Sequence, residues 1–123
     1  TIETCEVDVV LVDDQTLDIG GLKIQCHAAP GHCEGFLVFD IELEGERVWF
    51  TGDLFEAKHA HEWINLPWTG DPNFNAARYI ASLSRLRELP RPDHVLPGHG
   101  PAAIGEGWRL LDMAYTEALI RWR

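Results

Sequence analysis

Three segments of this chain share a pattern in which a strand-like apolar run ends at a glycine-containing turn that carries one ionisable residue. They are Pro30-Gly31-His32, Thr51-Gly52-Asp53 and Pro97-Gly98-His99-Gly100-Pro101. Glycine allows the tight or positive-φ backbone that such turns need. Functional side chains in layered folds concentrate on the loops that follow strands. The pattern therefore favours a strand-rich fold with His32, Asp53 and His99 as candidate site residues.

The first half of the sequence is predicted to be β structure. Residues 22–28 alternate apolar and polar side chains, which is the period of a half-buried strand. Residues 36–43 and 47–51 predict a hairpin around the turn Glu44-Gly45. The short apolar run 7–12 and the pair Leu17 and Ile19 are also typical of strands.

The second half is predicted to be mainly helical. After the irregular segment 54–72, Asp71 fits an N-cap and Pro72 the first helical position of a helix that runs to about Glu88. A short strand is expected over residues 93–96 and a second helix over residues 105–123. This order predicts an α/β or α+β chain.

The three candidate residues have the chemistry of metal ligands. Two imidazoles and a carboxylate suit zinc or a related divalent ion but fall one ligand short of a tetrahedron. Alternatively, Asp53 could bridge two ions about 3.5–4 Å apart, with His32 on one and His99 on the other. Taken singly, each of these turns is more often structural, so the hypothesis depends on the ordered set.

Composition limits the classes of binding partner and the cellular compartment that are expected for this chain. The formal net charge of −10, from 20 acidic and 10 basic residues, disfavours binding to nucleic acid. No apolar run approaches the roughly 20 residues that span a bilayer, so no membrane contact is expected. Three cysteines without disulfide or zinc-finger spacing, Cys5, Cys26 and Cys33, favour reduced thiols in a cytoplasmic protein. The first residue, Thr1, suggests a truncated or processed product.

The ordered motifs resemble the three C-terminal motifs of the metallo-β-lactamase superfamily. Between the last two motifs, Ser82-Leu83-x-x-Leu86 resembles the helix that precedes the final histidine in that family, so the likeness covers residues 7–101. The resemblance implies a four-layer αββα sandwich of two similar halves. Residues 1–123 would then form the C-terminal half of that sandwich.

The resemblance also implies roles for the candidate residues. His32 and His99 would each bind one metal of a pair, and Asp53 would bridge the two ions as the catalytic carboxylate. The intact protein would be a metal-dependent hydrolase, using two divalent ions that are expected to be zinc. Its substrate would be a small molecule with an ester, thioester, amide or phosphoester bond.

The chain departs from the family pattern because it lacks the His-x-His-x-Asp-His motif of the front half. The nearest likeness, His59-Ala60-His61-Glu62, follows the Asp53 motif and is interpreted as a loop that could line the substrate pocket. Cys33 stands where relatives often have threonine; packing is favoured for it over metal contact. His27 and His94 are expected to be structural.

Three functions remain open at this stage. The chain could be an incomplete hydrolase, inactive alone, whose partner is the missing N-terminal half or a second copy of itself. It could be a degenerate, non-catalytic relative that serves as an interaction or assembly module. The third alternative is a one-metal binding protein that uses His59 and His61.

Overall fold

A computed structural model describes residues 2–58 and 63–123 of the chain. Its elements, in chain order, are β1 (Thr16–Ile19), β2 (Leu22–Ala28), β3 (Leu37–Leu43), β4 (Glu46–Gly52), β5 (Glu56–Lys58), β6 (Trp63–Asn65), α1 (Ala76–Leu86), β7 (His94–Pro97), β8 (Ala103–Ile104) and α2 (Trp108–Trp122). Six strands form one mixed sheet in the order β1-β2-β3-β4-β7-β8, and β5 pairs with β6. The predicted α/β class is confirmed.

Strand directions in the large sheet determine which loops meet. β2, β3 and β4 pair antiparallel in succession, whereas β4 and β7 pair parallel. Consequently β2, β4 and β7 all run the same way. Their carboxyl ends lie at one edge of the sheet, and each of these ends leads into one of the glycine turns.

Both helices cover the same face of the sheet. The shared core contains Val38, Trp49 and Val95 from the strands, Tyr79, Leu83 and Leu86 from α1, and Leu110, Leu111, Ala114 and Ala118 from α2. Alternation sends their strand neighbours to the other face. That face carries Phe39, Ile41, Val48, Phe50 and Leu96, which are absent from the core cluster found among the described residues. The large sheet therefore has one face covered by helices and one apolar face turned away from them.

The helix boundaries differ from those predicted. α1 begins at Ala76 because Asn75 is its N-cap and accepts a hydrogen bond from Arg78 N. Asp71 instead closes a turn, in which its carboxylate accepts from Asn73 N at 2.7 Å. α2 begins at Trp108, not at residue 105, because Gly105 and Glu106 have φ of 81° and 50°, which are outside the helical region.

Two strand predictions also need correction. The apolar run 7–12 is not in a strand, and the sheet starts at Thr16. The segment predicted to be irregular contains the short β5–β6 ladder, whose three-residue strands are too short to show a period. The hairpin of β3 and β4 is confirmed, with Glu44 and Gly45 in positive-φ conformations at its turn. Within the described residues, neither helix has the length and apolar character needed to cross a membrane.

Candidate functional site

The three residues singled out in the sequence lie on one cavity at the carboxyl edge of the sheet. Asp53 follows β4 directly, His99 follows β7, and His32 is in the turn after β2. All three line a cavity of about 200 Å³, together with Phe55, Glu56, Asn65, Leu66, Pro67 and Trp68. The three candidate residues thus border the same cavity, and a metal-binding role for them stays a prediction.

Asp53 and His99 are in direct contact. The Nε2 atom of His99 lies 3.2 Å from Oδ1 of Asp53, and both side chains are exposed to solvent. Gly98 N–H donates to the carbonyl oxygen of Gly52 at 2.7 Å, which joins the two turns. A Cβ at position 98 would lie only 3.0 Å from Asp53 Oδ1, so a glycine here allows the close approach.

A backbone hydrogen bond fixes the orientation of the His32 ring. Its Nδ1 atom lies 3.1 Å from the carbonyl oxygen of Trp68. A carbonyl can only accept, so Nδ1 carries the proton and donates. In the neutral ring the lone pair is then on Nε2, and metal-binding histidines are commonly oriented by such a bond. Phe36 packs edge-on against the ring, with centroids 5.8 Å apart.

Helix α1 is the platform that holds the His32 turn. Asn75 N–H donates to the carbonyl oxygen of Gly31 at 2.8 Å. Ser82 Oγ donates to Pro30 O at 2.7 Å, and Arg85 Nη2 donates to Ala28 O at 2.9 Å. The sequence analysis identified the stretch Ser82-Leu83-x-x-Leu86 as a motif but assigned no role to its residues. The structure shows that its serine anchors the chain just before His32.

The same helix holds the turn that follows Asp53. The hydroxyl of Tyr79 donates to the carbonyl oxygen of Leu54 at 2.6 Å. Tyr79 is fully buried, and this burial raises the pKa of its phenol. The phenol thus stays protonated and remains a donor. One helix therefore sets the relative position of two of the three site turns.

Ser82→Ala is expected to lower the free energy of unfolding by about 1–2 kcal/mol, because the partly buried Pro30 carbonyl loses its donor. Chemical denaturation would measure the loss. Ser84→Ala, on the same helix and only partly buried, is the matched control and should cost less. Equal losses for the two variants would contradict the anchoring role.

Two titratable groups, Glu56 and Cys33, have shifted pKa values. A hydrogen bond from Lys58 holds the pKa of Glu56 below its usual range, and the nearby His99 adds to this effect. Burial raises the pKa of the Cys33 thiol, as does the negative charge of Asp71. Cys33 is not among the described residues that line the cavity. These observations favour packing over metal contact for Cys33.

The other histidines do not join the site in the part of the chain that the structure describes. His27 Nε2 pairs with Asp40 and His94 Nε2 with Glu46, each at 2.9 Å. His59 and His61 lie outside the described residues. Within residues 2–58 and 63–123, no group of three histidine, cysteine or acidic residues is close enough to hold a metal ion.

Solved structures with the same fold belong to the metallo-β-lactamase superfamily. A family protein from Thermus thermophilus matches 94% of this chain at 21% identity and a TM-score of 0.72. ETHE1 from Myxococcus xanthus matches 93% at 22% identity and a TM-score of 0.62. TTHA1623 in a di-iron-bound form matches 89% at 24% identity and a TM-score of 0.59. The resemblance inferred from the motifs is confirmed at the level of the fold.

The chain is much shorter than these structures. It spans 36% of the Thermus protein, 52% of ETHE1 and 48% of the di-iron protein. No protein-family model and no curated protein matches the sequence.

Proposed function

We propose that this chain is the back half of a metal-dependent hydrolase of the metallo-β-lactamase superfamily. The convergence of His32, Asp53 and His99 on one cavity is the observation that carries the proposal. The shared fold supports it, and one of the similar structures is in a di-iron-bound form. A chain that kept the fold only for structural reasons would have no need of three metal-ligand side chains at one edge.

The donor set fits divalent metal ions in its chemistry. His32 has Nε2 free of the Trp68 bond, His99 offers a second imidazole, and Asp53 has two oxygens that two ions could share. His32 would hold one ion, His99 the other, and Asp53 both. Bound zinc or iron would lower the pKa of water towards about 7 and polarise the scissile bond.

The chain's own residues would orient and shield the reacting groups. The carbonyl of Trp68 keeps the proton on Nδ1 of His32, and Asp53 Oδ1 is placed to accept a hydrogen bond from His99 Nε2 when that nitrogen carries a proton. Phe55 and Leu66 would provide apolar lining around the reacting groups. The remaining ligands would come from a front half that bears His-x-His-x-Asp-His. Without that half, the chain would be inactive or nearly so.

We expect zinc to bind the isolated chain weakly, because the site has few ligands and is open to solvent. Adding a polypeptide that carries the front-half motif should raise the metal content towards about two ions per assembled protein. Calorimetric titration and metal analysis would measure both. In either form, His32→Ala should weaken binding at least about tenfold. Two tight zinc sites on this chain alone would refute the proposal.

A double variant, His59→Ala with His61→Ala, is the matched control. It removes as many imidazoles as a His32→Ala, His99→Ala double variant but leaves the described cavity residues unchanged. If zinc binding were lost in the His59/His61 variant instead, the chain would be a one-metal binding protein. If neither double variant changed zinc binding, the alternative of a non-catalytic assembly module would be favoured. The apolar sheet face agrees with that alternative. A small-molecule substrate and a cytoplasmic location belong to the same proposal.

A further inference from the structure

The lining of the site cavity contains two chemically different groups of residues. One is the ionisable set His32, Asp53, Glu56 and His99. The other is apolar and consists of Phe55, Leu66, Pro67 and Trp68. Among the described residues, no lysine or arginine lines the cavity. The described lining of this cavity therefore offers a bound molecule apolar contacts beside the candidate metal ligands, and it contains no lysine or arginine that could pair with an anionic group.

Trp68 differs from the rest of the apolar group in its exposure. Phe55 is 2% exposed and belongs to the core, whereas Trp68 is 73% exposed. Large apolar side chains left in water are normal when single and scattered. This one, however, is at a cavity, and that setting is typical of aromatic residues that contact ligands.

Trp68 is also held in place. Its indole packs on the backbone of Gly70, where a Cβ would lie 1.9 Å from Cζ2. Its carbonyl oxygen accepts the hydrogen bond from His32 Nδ1. The residue whose carbonyl orients the His32 ring is thus itself part of the cavity lining. A group bound against Trp68 in this cavity would therefore lie near the His32 side chain.

We propose that Trp68 is a specificity-determining residue that contacts an apolar, aromatic or aliphatic group of the substrate. The substrate class is an ester, thioester or amide with such a group next to the scissile carbonyl. This substrate assignment rests on the proposed hydrolase function. The contact itself does not, because the apolar lining is present without metal.

The test uses the 123-residue chain and a matched pair of neutral probes, phenylacetamide and acetamide. Titrations followed by ¹H–¹⁵N correlation spectra give both dissociation constants and show which indole N–H signal shifts. We expect phenylacetamide to bind about tenfold more tightly than acetamide, as burial of part of one ring implies. The Trp68 indole signal should shift most.

Trp68→Ala should reduce this preference to about twofold or less, and Trp68→Phe should keep most of it, because an apolar ring remains. Trp63→Ala is the matched control, since Trp63 is also exposed but lies in a different groove, beside Met113. An unchanged preference in Trp68→Ala would overturn the proposal. An equal loss in Trp63→Ala, or no preference in the unaltered chain, would overturn it too.

A zinc titration of the same variants separates this proposal from the hydrolase function. Trp68→Phe retains the backbone carbonyl, so zinc binding should stay within about twofold of the unaltered chain. If Trp68→Ala reduced the probe preference but His32→Ala left zinc binding unchanged, the Trp68 contact would be supported and the metal function would be refuted. If His32→Ala weakened zinc binding but Trp68→Ala left the probe preference unchanged, the Trp68 contact would be refuted and the metal function would be supported.

Discussion

Gly31→Ala is expected to lower the free energy of unfolding by about 3 kcal/mol or more, the range of severe overpacking. Gly31 has a φ of 141°, a conformation that residues with a side chain rarely adopt. An added Cβ would lie 2.4 Å from the N and Cα atoms of Tyr79, and this backbone is part of α1 and cannot turn aside. Either the His32 turn or the helix must move. Denaturant unfolding would measure the loss of stability.

Gly35→Ala is the matched control in the same loop. An added Cβ there meets no atom within 4 Å. Its effect should be about 1 kcal/mol or less in either direction. If Gly31→Ala were as mild as this control, the close contact between the His32 turn and α1 would be wrong, and with it the role of α1 as the platform of the site.

The apolar sheet face should prevent the chain from persisting as a monomer in solution. Phe50 is 40% exposed and Leu43 is 43% exposed, on the face that the helices do not cover. Phe39 and Leu96 are the cross-strand neighbours of Phe50 and extend the patch. Contiguous exposed apolar patches beyond a few hundred Å² are rare on soluble monomers. We expect this face to pair with a second copy of the chain or with the front half.

Sedimentation at micromolar concentration would detect this association. Phe50→Lys places a charge at the middle of the face and should shift the chain towards monomer. Ile120→Lys, on α2 and 73% exposed, is the control that should leave association unchanged. A clean monomer near 13.9 kDa with a cooperative melt would show that the chain covers its core unaided, and the half-domain hypothesis would have to be abandoned.

The parts of the fold that were predictable from the sequence are those with a local signal. The β3–β4 hairpin follows from alternation and from a turn with glycine at its second position. The candidate site residues were found because ligand chemistry and glycine occur together in each motif. Both signals are contained within a few neighbouring residues.

The features that were missed depend on contacts between distant parts of the chain. Nothing near His32 in the sequence indicates that a carbonyl 36 positions away accepts a hydrogen bond from its Nδ1. The start of α1 was misplaced because Asp71 and Pro72 form a good capping signal, but Asn75 is the residue whose carboxamide caps the helix. The role of Ser82 also required knowing that α1 lies against the turn after β2.

The parallel pairing of β4 and β7 has a consequence for the order in which the site forms. Asp53 and His99 meet only when the chain has passed through α1 and returned to place β7 beside β4. The hairpins of β2, β3 and β4 need only short loop closures, whereas this crossover closes a long one, which is slower. During synthesis, His99 also emerges after most of the sheet. A nascent chain can therefore hold a formed hairpin sheet while the Asp53–His99 pair is still apart, so this pair should be a late event in folding.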